Sequence, residues 1–404
     1  MSNLKFSISK ALILSILLLS IFELKGQSNI LSLEKAIEIA LENNIEYKSY
    51  VLSVEQSKVL KKSAFTIDKT NIFYGKDNNN MAENGHPLNI IGIEQSFSFP
   101  TVYTNQYKVN KTAVSLSETE LEKQRSKLIK QVSKEYYEIV YFMNKINYYK
   151  SLDSLYRELS IEVENKHRTG NSSDLDVLNI RAKHRQILIS IDHLSHDINT
   201  AHKKLMLLIN DQTPFEIPKV EPAQLIVTNT PLIQNPAIQF KKFETQMQES
   251  IFKVEKSRLL PDITLSLYNG TNRYPDSKNY PGFQIGISVP IFFGGHKSTL
   301  KAGKIGVAIG INEEERYLRE LKLKREELMN EVRKLRESLK YFSTTGKRLS
   351  EEIINSAKES LVKKEIDLFQ YVQSIENAIT IELEHLDWLA EYNNVVLELN
   401  YLEI

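Results

Sequence analysis

The sequence predicts a mainly α-helical protein with a small transmembrane β part, built from two copies of a unit in which two strands precede a long helical hairpin. Two observations lead to this prediction: long helical stretches with coiled-coil spacing, and strand-like segments that alternate apolar and polar residues. A third observation is that the order helix, strand, strand, helix, helix occurs twice along the chain. Such repetition indicates an internal duplication.

Composition excludes several classes of protein. The chain has 404 residues and a formal net charge of +1, which gives no reason to expect nucleic acid as a partner. It contains no cysteine, so disulfides, thiolate metal sites, a cysteine nucleophile and a lipid anchor on cysteine are excluded. The sequence has no phosphate-binding glycine loop and no HExxH motif. We therefore expect no cofactor, no metal centre and no enzymatic activity.

The first 26 residues have the composition of a secretory signal peptide. Lys5 and Lys10 precede an apolar run from Ala11 to Phe22, and Gly26 follows near a plausible cleavage point. A run of this length is short for a spanning helix, which needs about 20 apolar residues. The alternative is an uncleaved anchor. We expect residues 1–26 to be cleaved and the protein to be exported without a lipid anchor.

The first copy of the unit is predicted to span residues 27–209. It opens with a helix that has Ser32 as its N-cap and runs to about Phe65. Strands are predicted at 70–75 and 89–99, and in the second segment Ile91, Ile93, Phe97 and Phe99 share one face.

A long helix is predicted to begin near Thr112 and to end at a tight turn around Gly170, from which a second helix returns. Neither proline nor glycine interrupts the long helix before Gly170. Its apolar residues follow the spacing of coiled-coil core positions: Leu121, Leu128, Val132, Ile139, Met143 and Ile146.

A proline-rich linker is predicted at residues 210–236, and the second copy of the unit at 237–404. The two copies align with a shift of 193 or 194 residues, which places Ile91 on Ile285 and Ile93 on Ile287. The second long helix again carries coiled-coil spacing: Leu321, Leu328, Val332, Leu335, Leu339 and Phe342.

The predicted strands carry one apolar face that requires either a core or a membrane. The segment 283–293 alternates over 11 residues, the length of a tilted transmembrane strand. The loops at 76–88 and 271–282 are long and polar. The alternative is a soluble sheet packed on a helix. The residues assigned to the membrane face are Ile91, Ile93, Phe97, Phe99, Ile263, Leu265, Leu267, Ile285, Ile287 and Val289.

Four strands per chain predict an oligomer. Open sheet edges do not persist in lipid, so transmembrane strands must close into a barrel of about eight strands or more. Two chains would give a barrel filled by its own side chains. Three chains would give twelve strands around an open lumen, and twelve long helices would continue them as a helical barrel.

Four segments resemble the TolC-like outer-membrane efflux proteins: SLEKAIEIALENN, RTGNSSDLDVL, KSRLLPDITLSLY and GISVPIFFGGHK. The more specific are the junctions at Leu260-Pro261 and Pro290-Ile291-Phe292, which are similar to those of the family. The resemblance implies a homotrimer that crosses the outer membrane of a Gram-negative bacterium as a twelve-stranded β-barrel and continues into the periplasm as an α-helical barrel. It also implies partners: a periplasmic adaptor (membrane fusion) protein and an inner-membrane pump of the resistance-nodulation-division or ABC type. The function implied is a passive exit duct for small molecules or ions.

The sequence departs from the expected symmetry at the helical turns. Gly170 in the first copy is matched by Lys364 in the second, so we expect the second turn to have a different shape. Gly303, Gly306 and Gly310 lie in the second long helix and predict either close helix packing or a loose transition.

Acidic residues near the two turns are candidates for a periplasmic gate. Asp174 and Asp176 follow Gly170, and Glu365 and Asp367 lie at the second turn. In a trimer each carboxylate would occur three times around one axis, which would create a ring of negative charge. The alternative is that these residues are solvated helix ends.

Histidines between His184 and His202 are candidates for a metal site. His193 and His196 are three residues apart and lie beside Asp192 and Asp197. This spacing can place two imidazoles on one helix face. The alternative is a solvated helix face, and we therefore assign no metal ligand.

Three further functions remain alternatives. The duct could serve heavy-metal cation efflux or type I protein secretion. From another class, the chain could be an exported coiled-coil structural or adhesive protein, which would explain the heptads but not the paired apolar strands.

Overall fold

The computed structural model describes residues 30–228 and 230–403. The predicted signal peptide lies outside the described residues and stays a prediction. The helices are α1 (Leu33–Asn43), α2 (Ile45–Leu60), α3 (Pro100–Arg168), α4 (Asp174–Ile209), α5 (Pro236–Ser257), α6 (Phe293–Tyr341), α7 (Lys347–Val362) and α8 (Leu368–Asn400). The strands are β1 (Asn71–Met81), β2 (Pro87–Phe97), β3 (Asp262–Thr271) and β4 (Tyr280–Ser288). Within the described ranges, no helix is both long and apolar enough to cross a membrane.

The first helical region matches its prediction apart from one break. The Ser32 hydroxyl accepts a hydrogen bond from the Lys35 amide at 3.2 Å, as an N-cap does. Asn44 interrupts the helix with an extended ψ of 123°, and its side-chain amide donates to the Leu208 carbonyl at 2.9 Å. The helical segment then continues as α2 and a short 3₁₀ turn that ends at Phe65.

The first long helix begins earlier than predicted. Helix α3 starts at Pro100, twelve residues before Thr112, and has 69 residues. Proline suits the first helical position because its missing N–H needs no partner there and its φ is already helical. The polar stretch after Pro100 hides this start from an analysis of apolar periodicity.

The chain forms two compact units. The first contains the chain up to Asn44 with residues 128–226 and 331–397, and the second contains residues 45–127 and 227–330 with the end of the chain. Each unit therefore takes segments from both sequence halves. The boundaries predicted for the two copies and the linker concern the sequence and stay predictions.

The first unit is a helical assembly with an apolar core. Around the two helical turns, α3, α4, α7 and α8 contribute one continuous cluster. Leu159 and Val372 are each 1% exposed within this cluster. Its buried members are Leu152, Tyr156, Leu159, Val163, Val177, Ile180, Ile187, Ala357, Val372, Ile375 and Ile379. Predicted coiled-coil positions in this unit are buried as well, among them Val132, Ile139 and Val332, which confirms the burial of these parts of the apolar stripes.

Tyrosine hydroxyls join α3 to α8 along this unit. Three of them donate to carboxylates at 2.5 to 3.3 Å, in the pairs Tyr141–Asp387, Tyr148–Glu382 and Tyr156–Glu376. The Lys145 ammonium group donates to both members of the first pair at 2.7 Å. Burial, followed by the hydrogen bond to Asp387, raises the pKa of Tyr141 to about 12. These phenols therefore stay protonated donors at neutral pH.

A π-helical segment, Phe342–Gly346, joins α6 to α7. The hydroxyls of Ser343 and Thr344 both donate to the Lys340 carbonyl at 2.9 Å. The Phe342 ring stacks on the His385 ring, with centroids 3.7 Å apart. A methyl group at Gly346 would lie 3.1 Å from the Phe342 ring, so glycine allows this close packing. The second long helix thus continues through this π-helical segment into α7.

The second unit contains one antiparallel sheet in the order β1-β2-β3-β4. The central pair joins the two halves of the sequence, with Ile93 opposite Leu267 and Phe97 opposite Ile263. Both outer pairs are hairpins, so β1 and β4 are the edge strands. The sheet is therefore formed jointly by segments nearly two hundred residues apart.

The strands differ from their predicted bounds at several of their ends. Strand β1 continues through the asparagine-rich stretch to Met81, so the first loop is only 82–86 instead of 76–88. The register with β2 shifts between Asp77 and Met81, so the three asparagines between them lie at an irregularity of the ladder. The second loop is 272–279 instead of 271–282.

Two residues assigned to membrane strands lie just outside them. Strand β4 starts at Tyr280 and ends at Ser288, so Val289 follows it; Ser288 pairs with Asp262, the first residue of β3 after Pro261. Phe99 lies two residues after β2, and its amide donates to the Asp262 side chain at 3.3 Å. Strand β4 ends where β3 begins, so Val289 has no partner residue within β3.

The glycines of α6 pack closely against α5 in this unit. The Thr245 hydroxyl donates to the Gly310 carbonyl at 3.1 Å, and a methyl group at Gly310 would lie 3.5 Å from the Thr245 Cα. A methyl group at Gly303 would lie 3.0 Å from the Phe252 ring. Of the two readings of these glycines, close helix packing is therefore the one observed.

Candidate functional site

One face of the sheet is apolar and exposed. Residues paired across the strands share this face, so the row Ile72, Ile93, Leu267 and Phe283 crosses all four strands. The exposed fractions of the apolar residues on this face run from 38% at Leu265 to 73% at Ile72. The other exposed apolar members are Tyr74, Ile91, Ile263, Leu265, Ile285 and Ile287. Monomeric soluble proteins rarely expose so continuous an apolar surface.

The structure brings together eight of the ten residues predicted for the membrane face. Phe99 and Val289 lie beyond the strands. The other eight lie in the sheet: Ile91, Ile93, Phe97, Ile263, Leu265, Leu267, Ile285 and Ile287. Ile72 and Tyr74 were not among the residues predicted for this face, because Phe73 lies between them and leaves no apolar–polar alternation in this part of β1.

The opposite face, called the polar face here, carries the hydroxyls, amides and carboxylates of the sheet together with Phe73, Leu88, Ile90 and Tyr268. The Ser266 hydroxyl donates to the Glu94 carboxylate at 2.8 Å, and the hydroxyls of Ser96 and Thr264 lie 3.0 Å apart. Gln284 lies opposite Ser266 on β4. The sheet therefore separates an apolar surface from a hydrogen-bonding one.

The two loops of the sheet hold each other in place. The side-chain amides of Asn84 and Asn272 exchange two hydrogen bonds, at 3.0 and 3.1 Å. The His86 ring stacks on the Tyr274 ring with centroids 3.7 Å apart. These contacts connect the predicted copies at the loop end of the sheet.

The two helical turns have the same shape, contrary to the expectation for Lys364. Gly170 has φ of 75° and Lys364 has φ of 59°, both in the left-handed region. At the first turn the Asn171 amide donates to the Lys166 carbonyl at 2.8 Å, and at the second the Glu365 amide donates to the Ser360 carbonyl at 2.8 Å. Identical hydrogen bonding outweighs the cost of placing lysine in this conformation.

Asp176 and Asp367 act as helix caps at these turns. Ser173 and Asp176 form a reciprocal capping box at the start of α4. Hydrogen bonds from Ser173, first through its hydroxyl and then through its amide, hold the pKa of the Asp176 carboxyl below its usual range. Asp367 and Gln370 form the corresponding reciprocal pair, at 2.8 and 3.2 Å, before α8. Asp367 thus occupies the position of Ser173.

Asp174 lies at the surface of the first turn. Its side chain is 90% exposed, and one carboxylate oxygen lies 3.3 Å from Nε2 of His167. The Asp367 carboxylate lies near Lys166, whose pKa is raised mainly by a hydrogen bond to Glu162 and to a smaller extent by Asp367. The structure therefore places residues of both turns at the same end of the first unit.

Replacement of Asp367 by alanine is expected to destabilise the start of α8 by about 1 kcal/mol, because an N-cap side chain is lost. Asp367→Asn should change stability little, since asparagine is an equally good cap. Asp174→Ala is the matched control, because this carboxylate caps no amide in the described turn. Hydrogen exchange of the first amides of α8 would measure the effect, and unchanged exchange in Asp367→Ala would contradict the capping role.

The histidines do not assemble into a metal site within the described residues, where no group of three or more His, Asp or Glu side chains could hold an ion. His184 instead lies 2.7 Å from Asp153, and His196 lies 3.8 Å from Asp192. His202 packs on Phe215, and burial lowers the pKa of its imidazole.

The combination of a two-faced four-stranded sheet and long helical hairpins defines the fold of TolC-like outer-membrane channels. The chain is similar to the outer-membrane channel OprN, with a TM-score of 0.75, 13% identity and coverage of 93% of both chains. It is similar to the Neisseria gonorrhoeae MtrE outer-membrane channel in its open state, with a TM-score of 0.73, 16% identity and coverage of 91% of this chain and 88% of that one. For the Campylobacter jejuni CmeC outer-membrane channel these values are 0.72, 15%, 91% and 84%.

No protein-family profile matches the sequence, and no curated protein sequence matches it. The similarity is therefore one of fold at low sequence identity. It confirms the predicted resemblance to TolC-like channels at the level of the fold.

Proposed function

We propose that the protein is a passive exit duct in the outer membrane of a Gram-negative bacterium and serves a tripartite efflux system. The observation that carries this proposal is the apolar face of the sheet, which remains exposed in the single chain and alternates with a polar face. A strand that separates lipid from an aqueous lumen has this pattern. The shared fold with outer-membrane channels supports the same reading.

The proposed assembly is a homotrimer. The edge strands β1 and β4 present backbone groups that lipid cannot satisfy, so they require partners from other copies. Three chains close a twelve-stranded barrel with an open lumen, and the helical hairpins continue it as an α-helical barrel in the periplasm. In this proposal the two sequence copies, 27–209 and 237–404, contribute two strands each, and 210–236 links them.

The proposed partners follow from the resemblance: a periplasmic adaptor protein, an inner-membrane pump of the resistance-nodulation-division or ABC type, and outer-membrane lipid. In this proposal the duct catalyses no reaction, and the pump supplies the energy for transport. The exposed apolar sheet favours a duct over an exported coiled-coil adhesive protein, which would have no use for such a face.

The helical turns are proposed to form the periplasmic end, with Gly170, Asp174, Asp176 and Asp367 at the tip. Because Asp176 and Asp367 are engaged as caps, Asp174 is the carboxylate most available to attract cations there.

The mass of the purified protein tests the proposed assembly. Light scattering with correction for bound detergent is expected to give three copies per particle, and the trimer should dissociate on heating in SDS. A monodisperse monomer with native strand content would contradict both the closed barrel and the duct.

Labelling of single cysteines tests the proposed topology, and the cysteine-free chain makes the experiment clean. Arg273 lies in the loop 272–279, and the cysteine of an Arg273→Cys variant is expected to react with an impermeant maleimide on intact cells. Asn171→Cys lies at the first helical turn and is expected to react only after the outer membrane is opened. The reverse pattern of labelling would overturn the orientation.

A further inference from the structure

The polar face of the sheet carries aromatic rings placed over glycines. Phe73, Gly92, Tyr268 and Gly282 form one row across the four strands. A methyl group at Gly282 would lie 2.6 Å from the Tyr268 ring, and one at Gly92 would overlap the Phe73 ring. Each ring therefore covers the glycine of the neighbouring strand and remains partly exposed.

A carboxylate lies directly beside this row. Glu94 follows Gly92 by two residues on the same face of β2, opposite Ser266 and Asn71. It is thus a diagonal neighbour of both Tyr268 and Phe73, a separation of about 7–8 Å that long side chains span. The Ser266 hydroxyl, on a residue only 5% exposed, donates to Glu94 at 2.8 Å and orients it.

The charge on this face is of one sign. Among the described strands, the paired positions that share the face with Glu94 include Asp77 and Asp262 but no lysine or arginine. Asp262 already accepts a hydrogen bond from the Phe99 amide, and Asp77 one from the Asn79 amide. Within the described residues, Glu94 has a hydroxyl donor but no ion-pair partner. Its negative charge is therefore available to a ligand.

We propose that Glu94, Tyr268 and Phe73 form a binding site for organic cations that carry an aromatic or alkyl group. A carboxylate attracts the charge, and aromatic rings bind quaternary ammonium groups through their negative faces. Small inorganic cations would gain less from the rings because they keep their water. This inference rests on the proposed function, which places the polar face in the lumen of the duct, and it assigns organic cations as a class of cargo.

Current block in planar lipid bilayers tests the site, with the purified trimer and phenyltrimethylammonium as the probe. We expect reversible block by phenyltrimethylammonium but not by the anion benzenesulfonate at the same concentration. Glu94→Gln and Tyr268→Leu should each weaken block by about fivefold or more, the effect of one lost charged or cation–π contact. Tyr268→Phe keeps the ring, so phenyltrimethylammonium should block this variant as strongly as the native protein.

The control is Glu83→Gln, which removes a carboxylate from the loop, where it pairs with Lys278, and should leave block unchanged. If Glu94→Gln and Tyr268→Leu conduct and are blocked like the native protein, the rings serve only to cover glycines, as aromatic side chains do in many sheets, and the inference is wrong. A native trimer that inserts but does not conduct would instead refute the duct itself.

Discussion

Ile285→Lys is expected to remove the protein from the outer-membrane fraction. Ile285 lies in the middle of β4, is 66% exposed and is paired with Leu265 on the apolar face. A lysine at the lipid-facing midplane of a barrel costs about 2–4 kcal/mol. Because a trimer carries three copies, the total cost approaches or exceeds the stability of an ordinary domain.

Gln284→Lys is the matched control, since the neighbouring residue points to the polar face. This variant is expected to assemble and to fractionate with the outer membrane. Quantitative blotting of separated membranes, with a heat-modifiability assay for folded trimer, measures both variants. If Ile285→Lys assembles as well as Gln284→Lys, the apolar face does not contact lipid, and a sheet in contact with water or another protein would replace the proposed barrel.

Leu159→Ala is expected to destabilise the helical hairpins by about 2–5 kcal/mol, because truncation of a fully buried leucine loses its transfer free energy and leaves a cavity. Leu159 is 1% exposed and lies in the cluster that joins α3, α4, α7 and α8. The midpoint of thermal or urea unfolding, followed by helical circular dichroism, measures the loss. A change below about 0.5 kcal/mol, the range of ordinary surface substitutions, would contradict the assigned core.

Ile161→Ala provides the control on the same helix. Ile161 is 58% exposed in the single chain, so its truncation is expected to cost less than about 0.5 kcal/mol. A loss at Ile161 comparable to that at Leu159 would show that another chain covers this face in the assembled protein.

Much of the secondary structure could be predicted because it follows from local patterns. The coiled-coil spacing of Leu128, Val132 and Ile139 identified α3, and all three residues are buried. The alternation of Ile263, Leu265 and Leu267 predicted a strand, and all three residues lie in β3. The start of α3 at Pro100 was missed, because the first turns of that helix carry no apolar stripe.

The candidate sites were less predictable, because they depend on which residues become neighbours. The gate role predicted for Asp367 rests on its position and stays a prediction; the cap that its carboxylate provides to α8 through the Gln370 amide became visible only in the structure. The pairing of Glu94 with Ser266 joins residues 172 positions apart, and no local pattern announces it.

The sequence by itself determined the helices, the two-faced strands and the repeated order, because periodicity and turn residues act over a few neighbouring positions. Only the tertiary structure decided where the strands end and how the chain divides into units, because strand length depends on available partners and compact units depend on packing between distant segments. The turn at Lys364 is an example: its residue type predicted a different shape, but the helices on either side require a left-handed residue there. Long-range packing outweighs a local preference of about 1–2 kcal/mol.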